Sequence, residues 1–250
     1  MPEITVDSLL TDLVAGRLAP TVLSGLHNLP RSPLVSGSKV GRDQELIGSW
    51  GDAGGTLANT NPGASNKPHG TAKWTPSPSG TRLDFKPAAS WDNVYMYTKL
   101  PFPAVVPTHL VDIRRVQMTA SDLAGAQCLE SDFQITVNGK VHNMGWQLNF
   151  AERLVRYFDY NHKKWIPVAT PIPLPDMTKP VDFVAEFKID DASTTHVALS
   201  LNGVRYVIGV SQPATVSNGG NKFTTAVQLD SMKSAVPLGV TVLDLQARYL

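Results

Sequence analysis

A chain of 250 residues, 42% of them hydrophobic and 17% charged, has enough apolar side chains for one large core or two small ones. Its net charge of +1, with no long run of one sign, excludes the electrostatic footprint of a nucleic-acid binder or of a protein held on an anionic membrane surface. No stretch approaches the roughly 18 consecutive apolar residues of a membrane span, and a single cysteine, Cys128, excludes an intrachain disulfide framework.

The amino terminus, Met1-Pro2-Glu3-Ile4-Thr5-Val6-Asp7, is acidic and lacks a basic region followed by an apolar one, so no signal peptide is expected in this chain. The compartment stays open, and is extracellular if a signal has been removed. Leu9, Leu10, Leu13, Val14 and Leu18 recur at helical spacing and predict a short amphipathic helix over 5–18, with Thr5 or Asp7 as cap and Gly16 and Pro20 at its end. Its apolar stripe needs a partner, either this chain or a second copy; the second choice makes residues 1–50 a route to a homo-oligomer. Pro30 and Pro33 make the segment from Leu23 to Leu34 irregular.

From Gly51 to Gly80 more than half of the residues are Gly, Pro, Ser or Asn, which predicts a long polar loop or a set of short strands joined by turns, without a core role. Regular strand patterning begins at Arg82. The predicted strands are 82–86, 91–98, 109–118, 130–138, 143–150, 153–160, 181–189, 194–201, 204–210, 223–230 and 238–249. Asn138-Gly139 and Asn202-Gly203 read as tight hairpin turns, because both residue types tolerate positive φ. Pro167, Pro171, Pro173 and Pro175 mark an extended connection that cannot sit inside a sheet. Three segments follow: an extension at 1–50, a loop region at 51–80 and an all-β domain at 81–250. Turns about every ten residues without intervening helical periodicity indicate a β-sandwich or barrel.

The most informative stretch is Glu130-Ser131-Asp132-Phe133-Gln134-Ile135-Thr136-Val137. Side chains alternate across a strand, so Glu130, Asp132 and Gln134 share one face and Phe133, Ile135 and Val137 the other. In the next run Gln147 and Asn149 oppose Trp146, Leu148 and Phe150. The face of Glu130, Asp132, Gln134, Gln147 and Asn149 is either a surface that grips a polyhydroxylated ligand or the solvated side of an antiparallel sheet. Trp91, Asn93, Tyr95 and Tyr97 also share one face; they either extend that surface as a stacking platform or fill the core. Cys128, in the lead-in to its strand, reads as a small buried hydrophobe. No His pairs with another His or Cys at zinc-ligand spacing, and Asp190-Asp191 reads as a turn.

Several stretches carry a resemblance to concanavalin A-like lectin/glucanase domains over about 82–250. They are Leu129–Phe133, Gly145–Phe150, Arg156-Tyr157-Phe158-Asp159-Tyr160 with Trp165, the Leu199–Val207 hairpin, Ala226–Asp230 and the closing strand Val240–Tyr249. The resemblance implies an antiparallel jelly-roll sandwich with a short amino-terminal helix and a loop-rich extension, and an oligo- or polysaccharide as partner on its concave sheet. It implies no cofactor, though calcium occurs in the superfamily as a structural ion.

Glucanases of that superfamily carry a Glu-x-Asp-x-Glu strand. Glu130 and Asp132 match its first two positions, but Gln134 stands at the third, which counts against hydrolysis by two carboxyls flanking the scissile bond. Alginate-type lyases use Tyr, Arg, Gln and His, and Arg156, Tyr157 and His162 supply such residue types in a different order. The expected function is carbohydrate binding. The alternatives are a polysaccharide-active enzyme, a lyase ahead of a hydrolase, and an assembly subunit that reuses the sandwich.

Overall fold

The computed structural model describes residues 39–40, 71–77, 80–88, 92–100, 106–232 and 236–249. The predicted helix at 5–18, the irregular Leu23–Leu34 segment, most of the 51–80 region and Trp91 lie outside the described residues. In chain order the strands are β1 (Lys39–Val40), β2 (Thr71–Ser77), β3 (Gly80–Lys86), β4 (Asn93–Leu100) and β5 (His109–Gln117). After a one-turn helix, α1 (Ala120–Gly125), come β6 (Ala126–Val137), β7 (Lys140–Asn143), β8 (Trp146–Asn149), β9 (Leu154–Asp159) and β10 (Lys164–Pro167). The remainder are β11 (Val181–Ile189), β12 (Ser193–Leu201), β13 (Val204–Pro213), β14 (Thr215–Val216), β15 (Lys222–Ser231) and β16 (Leu238–Tyr249).

These strands build two antiparallel sheets. One runs β13-β12-β11-β5-β16-β3-β2, with β1 also on β16; the other runs β10-β9-β8-β6-β15-β4, with β7 on β6 and β14 on β7. The all-β sandwich is thus the architecture expected from the strand pattern. Its core lies between the sheets, where Phe133 of β6 stacks on Phe187 of β11 at 6.0 Å and meets Phe223 of β15 edge-on at 5.0 Å. All three are 2% exposed or less. Burying each such side chain stabilises the fold by roughly 2–3 kcal/mol before chain entropy is counted.

The turns follow from residue type. Asn138 and Gly139 (φ 50° and 71°) and Asn202 and Gly203 (φ 49° and 82°) take the left-handed conformations that two-residue hairpins require. They join β6 to β7 and β12 to β13.

Thr71–Ser77 takes the short-strand alternative for its region: it pairs along its whole length with β3, and Pro76 is tolerated because β2 ends the sheet among the described residues. Three expectations need correction. The predicted strand at 143–150 is interrupted at Met144-Gly145: β8 follows the break, β7 precedes it with only Asn143 inside the predicted range, and the two pair with successive halves of β6. β6 itself starts at Ala126 rather than 130, so Cys128 belongs to the strand. Helix α1 was too short to show periodicity. Its signal was a capping box, in which Thr119 Oγ1 accepts from the Asp122 backbone N–H and Asp122 Oδ2 accepts from the Thr119 N–H. Among the described residues no helix is long and apolar enough to cross a membrane.

Candidate functional site

β6 is the spine of the second sheet, bonded to β15 on one side and to β7 and β8 on the other. Alternation sends Leu129, Phe133 and Ile135 into the core and Cys128, Glu130, Asp132 and Gln134 to the outward face. Register then fills that face. Gln147 and Asn149 of β8 stand opposite Glu130 and Cys128, and Gln228 and Asp230 of β15 stand opposite the same two residues on the other side.

Hydrogen bonds tie this row together. Gln147 Nε2 donates to Glu130 Oε1 at 2.7 Å, and Gln147 Oε1 accepts from Asn149 Nδ2 at 3.2 Å and Arg156 Nη1 at 3.3 Å. The Glu152 backbone N–H donates to Asn149 Oδ1 at 2.9 Å, and its carboxylate pairs with Arg156. Gln228 Nε2 donates to Asp230 Oδ1 at 2.9 Å, and the Cys128 thiol donates to Asp230 Oδ2 at 3.2 Å. Cys128 is buried, but its sulfur lies against two carboxyls, with Glu130 Oε1 at 3.7 Å, and not in the apolar cluster. Its full burial agrees with the reading as a small hydrophobe, while the two carboxyl neighbours were not expected.

Three carboxyls, Glu130, Asp132 and Asp230, share this face, and their protons are held unusually tightly. Burial, then the Asp230 and Asp132 charges, push Glu130 well above the ordinary carboxyl range. Burial pushes Asp132 up to about 6, with Arg114 acting against it and Asp230 and Asp112 adding to it. Asp230 is pushed up to about 6 by burial, against its hydrogen bonds from Cys128 and Gln228. Burial followed by the two carboxylates raises the Cys128 thiol as well. Donor atoms of Cys128, Glu130 and Asp230 lie within 4.8 Å of one another. The thiol hydrogen bonds to both carboxyls account for that closeness, and no metal is assigned.

The acidic row has an aromatic border. An atom added at the Gly145 Cβ position would meet Phe158 Cβ at 3.0 Å, Asp132 Oδ1 at 3.1 Å and Trp165 Cη2 at 3.3 Å, so the three side chains converge on the break between β7 and β8. Phe158 of β9 and Trp165 of β10 are register partners whose rings meet edge-on at 5.0 Å. Both are half-buried, as are Asp132, Gln134, Gln228 and Asp230, whereas Glu130 and Gln147 are 4% exposed and Asn149 0%.

The structure therefore brings Glu130, Asp132, Gln134, Gln147 and Asn149 onto one face. Tyr95 occupies the β4 position opposite Gln228; its side chain, like Trp91, lies outside the described residues. Arg156, Tyr157 and His162 are not brought together. Arg156 points to the acidic face, and Tyr157, one residue on, packs inward with its ring 5.5 Å from that of His196. His162 sits in the β9–β10 turn, 2.7 Å from Asp159 Oδ2. The lyase-type trio is corrected on that ground: adjacent strand residues face opposite ways. Asp190 does form a turn, its carboxylate accepting from Ala192 N and Ser193 N at 2.7 Å each.

Sequence reasoning missed Asp230, Gln228, Phe158 and Trp165 as parts of this face. The alternation Gln228-Leu229-Asp230 was visible, but nothing local shows that β15 lies beside β6.

No protein-family model matches the chain, and no curated protein matches it by sequence. Among solved structures it is similar in fold to alginate lyase Aly36B, at 10% identity and a TM-score of 0.49, covering 86% of this chain and 97% of that one. It is similar to the carbohydrate recognition domain of Emp46p in its potassium-bound form, at 9% identity and a TM-score of 0.47, with coverage of 82% and 90%. A legume lectin-like domain from Entamoeba histolytica aligns at 8% identity and a TM-score of 0.42, over 73% and 88% of the two chains.

Proposed function

We propose that the outward face of β6, β8 and β15 binds a neutral oligo- or polysaccharide. The observation that carries this reading is the row of carboxyls and amides, Asp132, Gln134, Gln228 and Asp230, bordered by the Phe158–Trp165 pair at Gly145. Carboxyls and amides offer directional hydrogen bonds to hydroxyls, and aromatic faces cover the C–H side of a pyranose ring. A uronate polymer fits poorly, because Asp132 and Asp230, ionised above about pH 6, repel its carboxylates.

Isothermal titration with uncharged glucan, mannan, xylan and galactan oligomers, and with an alginate oligomer as the anionic arm, tests the reading. At least one neutral series should bind, and Asp132→Ala or Trp165→Ala should weaken it tenfold or more. The exposed Lys188, on the other sheet, serves as control through Lys188→Ala. Absence of binding to every neutral series, or binding untouched by both site substitutions, would overturn it.

A second reading, hydrolysis, is favoured by one observation: Asp230 brings a further carboxyl to the face whose β6 row ends in Gln134. Carboxyls held at different proton affinities are what acid–base chemistry needs. Release of reducing ends from the bound polymer, abolished in Glu130→Gln, supports it; a bound polymer left intact after prolonged incubation rules it out.

A further inference from the structure

Behind the acidic face, inside the sandwich, lies a charged group that neither reading uses. Arg114 of β5 is 2% exposed and crosses from the first sheet to the second. Its Nη2 donates to the backbone carbonyl of Asp132 at 3.1 Å and to Thr225 Oγ1 at 2.7 Å, and its Nη1 donates to the carbonyl of Ala226. Asp132 and Ala226 are register partners, so one guanidinium clamps the pair where β6 meets β15. Its Nε donates to Asp112 Oδ2 at 2.8 Å, and Ser131 Oγ donates to the same oxygen at 2.9 Å. Among the described residues Asp112 Oδ1 has no hydrogen-bond partner. An ion pair between two apolar sheets is costly to desolvate and could be replaced by packed hydrophobes at little loss of stability. Its position behind Asp132 gives it a second use.

We propose that Arg114 is the positioning residue of the acidic face: from the opposite sheet it fixes β6 against β15 at the Asp132–Ala226 pair and sets a positive charge, balanced by Asp112, behind the Asp132 carboxyl. This deepens the saccharide reading and rests on it for its purpose. The charges that face Asp132 are Glu130 on its own strand, Asp230 on β15, and Arg114 and Asp112 through the sheet. Arg114 favours the carboxylate and Asp112 opposes it, as their contributions to Asp132 show. In the low-dielectric interior such a charge acts with little screening by salt.

The test is the carboxyl carbon-13 titration of Asp132 in the full chain, without saccharide. Arg114→Gln should move its midpoint up from about 6 by about one pH unit or more. Asp112→Asn, nearly isosteric, should move it down. Opposite directions distinguish a charge effect from loosened packing, which has no reason to reverse sign. Arg114→Lys keeps the charge and should stay near the unsubstituted midpoint. If Arg114→Gln does not fold, Asp112→Asn decides by itself. An Asp132 midpoint unmoved in Asp112→Asn, or moved the same way by both substitutions, overturns the proposal. The titration needs no ligand, so failure to bind any sugar would sink the saccharide reading and leave this result standing.

Discussion

Glu130, Asp132 and Asp230 each have a proton affinity above that of an ordinary carboxyl, and burial is the first cause in all three. In the unfolded chain Asp titrates near 4. The folded state therefore binds more protons between about pH 4 and 6, and the sign of the linkage follows. Stability from Asp132 and Asp230 is fully present at low pH and is lost as pH rises through their folded values of about 6, and the raised Glu130 carboxyl acts in the same direction. Asp230→Asn removes one of the charges. It should raise unfolding free energy at pH 7.5 by about 2 kcal/mol and change it little at pH 4, read from denaturant melts at the two values. A stability gain that is equal at both pH values would mean that the buried charge is not its cause. A stability cost kept at neutral pH is what a face held for binding or chemistry would carry.

At the scale of elements, the site is made by an interruption. Had 143–150 formed one strand, its middle would have crossed the place where Asp132, Phe158 and Trp165 now converge. Gly145 allows the close approach, and its carbonyl accepts from the Phe158 backbone N–H at 3.0 Å. Gly145→Ala should therefore press on Asp132 and Phe158 and weaken saccharide binding several-fold, visible by titration calorimetry, with the far hairpins unperturbed in amide spectra. The β12–β13 hairpin offers the contrasting case, where a glycine serves the fold alone. Gly203 sits at φ 82°, so Gly203→Ala should cost about 1 kcal/mol in denaturant melts and leave sugar affinity unchanged.

For the whole molecule, the two sheets depend on each other through one apolar cluster in which Phe133 holds the centre, touching Phe187 across the gap and Phe223 beside it. Phe133→Ala should cost about 3–5 kcal/mol, measured as a shift of the denaturation midpoint. A loss below about 1 kcal/mol would show that the sheets do not close on this ring. The side chain of Phe133 points away from the acidic face, yet its neighbours in sequence, Asp132 and Gln134, line that face. A core substitution here should therefore loosen ligand binding along with the fold.

Much of this architecture was legible one strand at a time. Alternation placed Phe133 and Ile135 apart from Glu130, Asp132 and Gln134, because the two faces of a strand are set by local geometry alone. The Asn-Gly pairs marked two hairpins, because positive φ is a property of the residue. Alternation also sufficed to separate Arg156 from Tyr157, once β9 was known to be a regular strand.

Pairing between distant strands was not legible, because any apolar-polar strand can lie beside any other, and the choice is made by the packing of the whole sandwich. That choice puts Asp230 against Cys128, Trp165 beside Asp132, and Arg114 behind it. The sequence by itself determined an antiparallel sandwich and a row of polar residues along one face of β6. Tertiary structure decided what surrounds that row, since the charges, rings and buried arginine that give it chemical character come from strands up to about a hundred residues away.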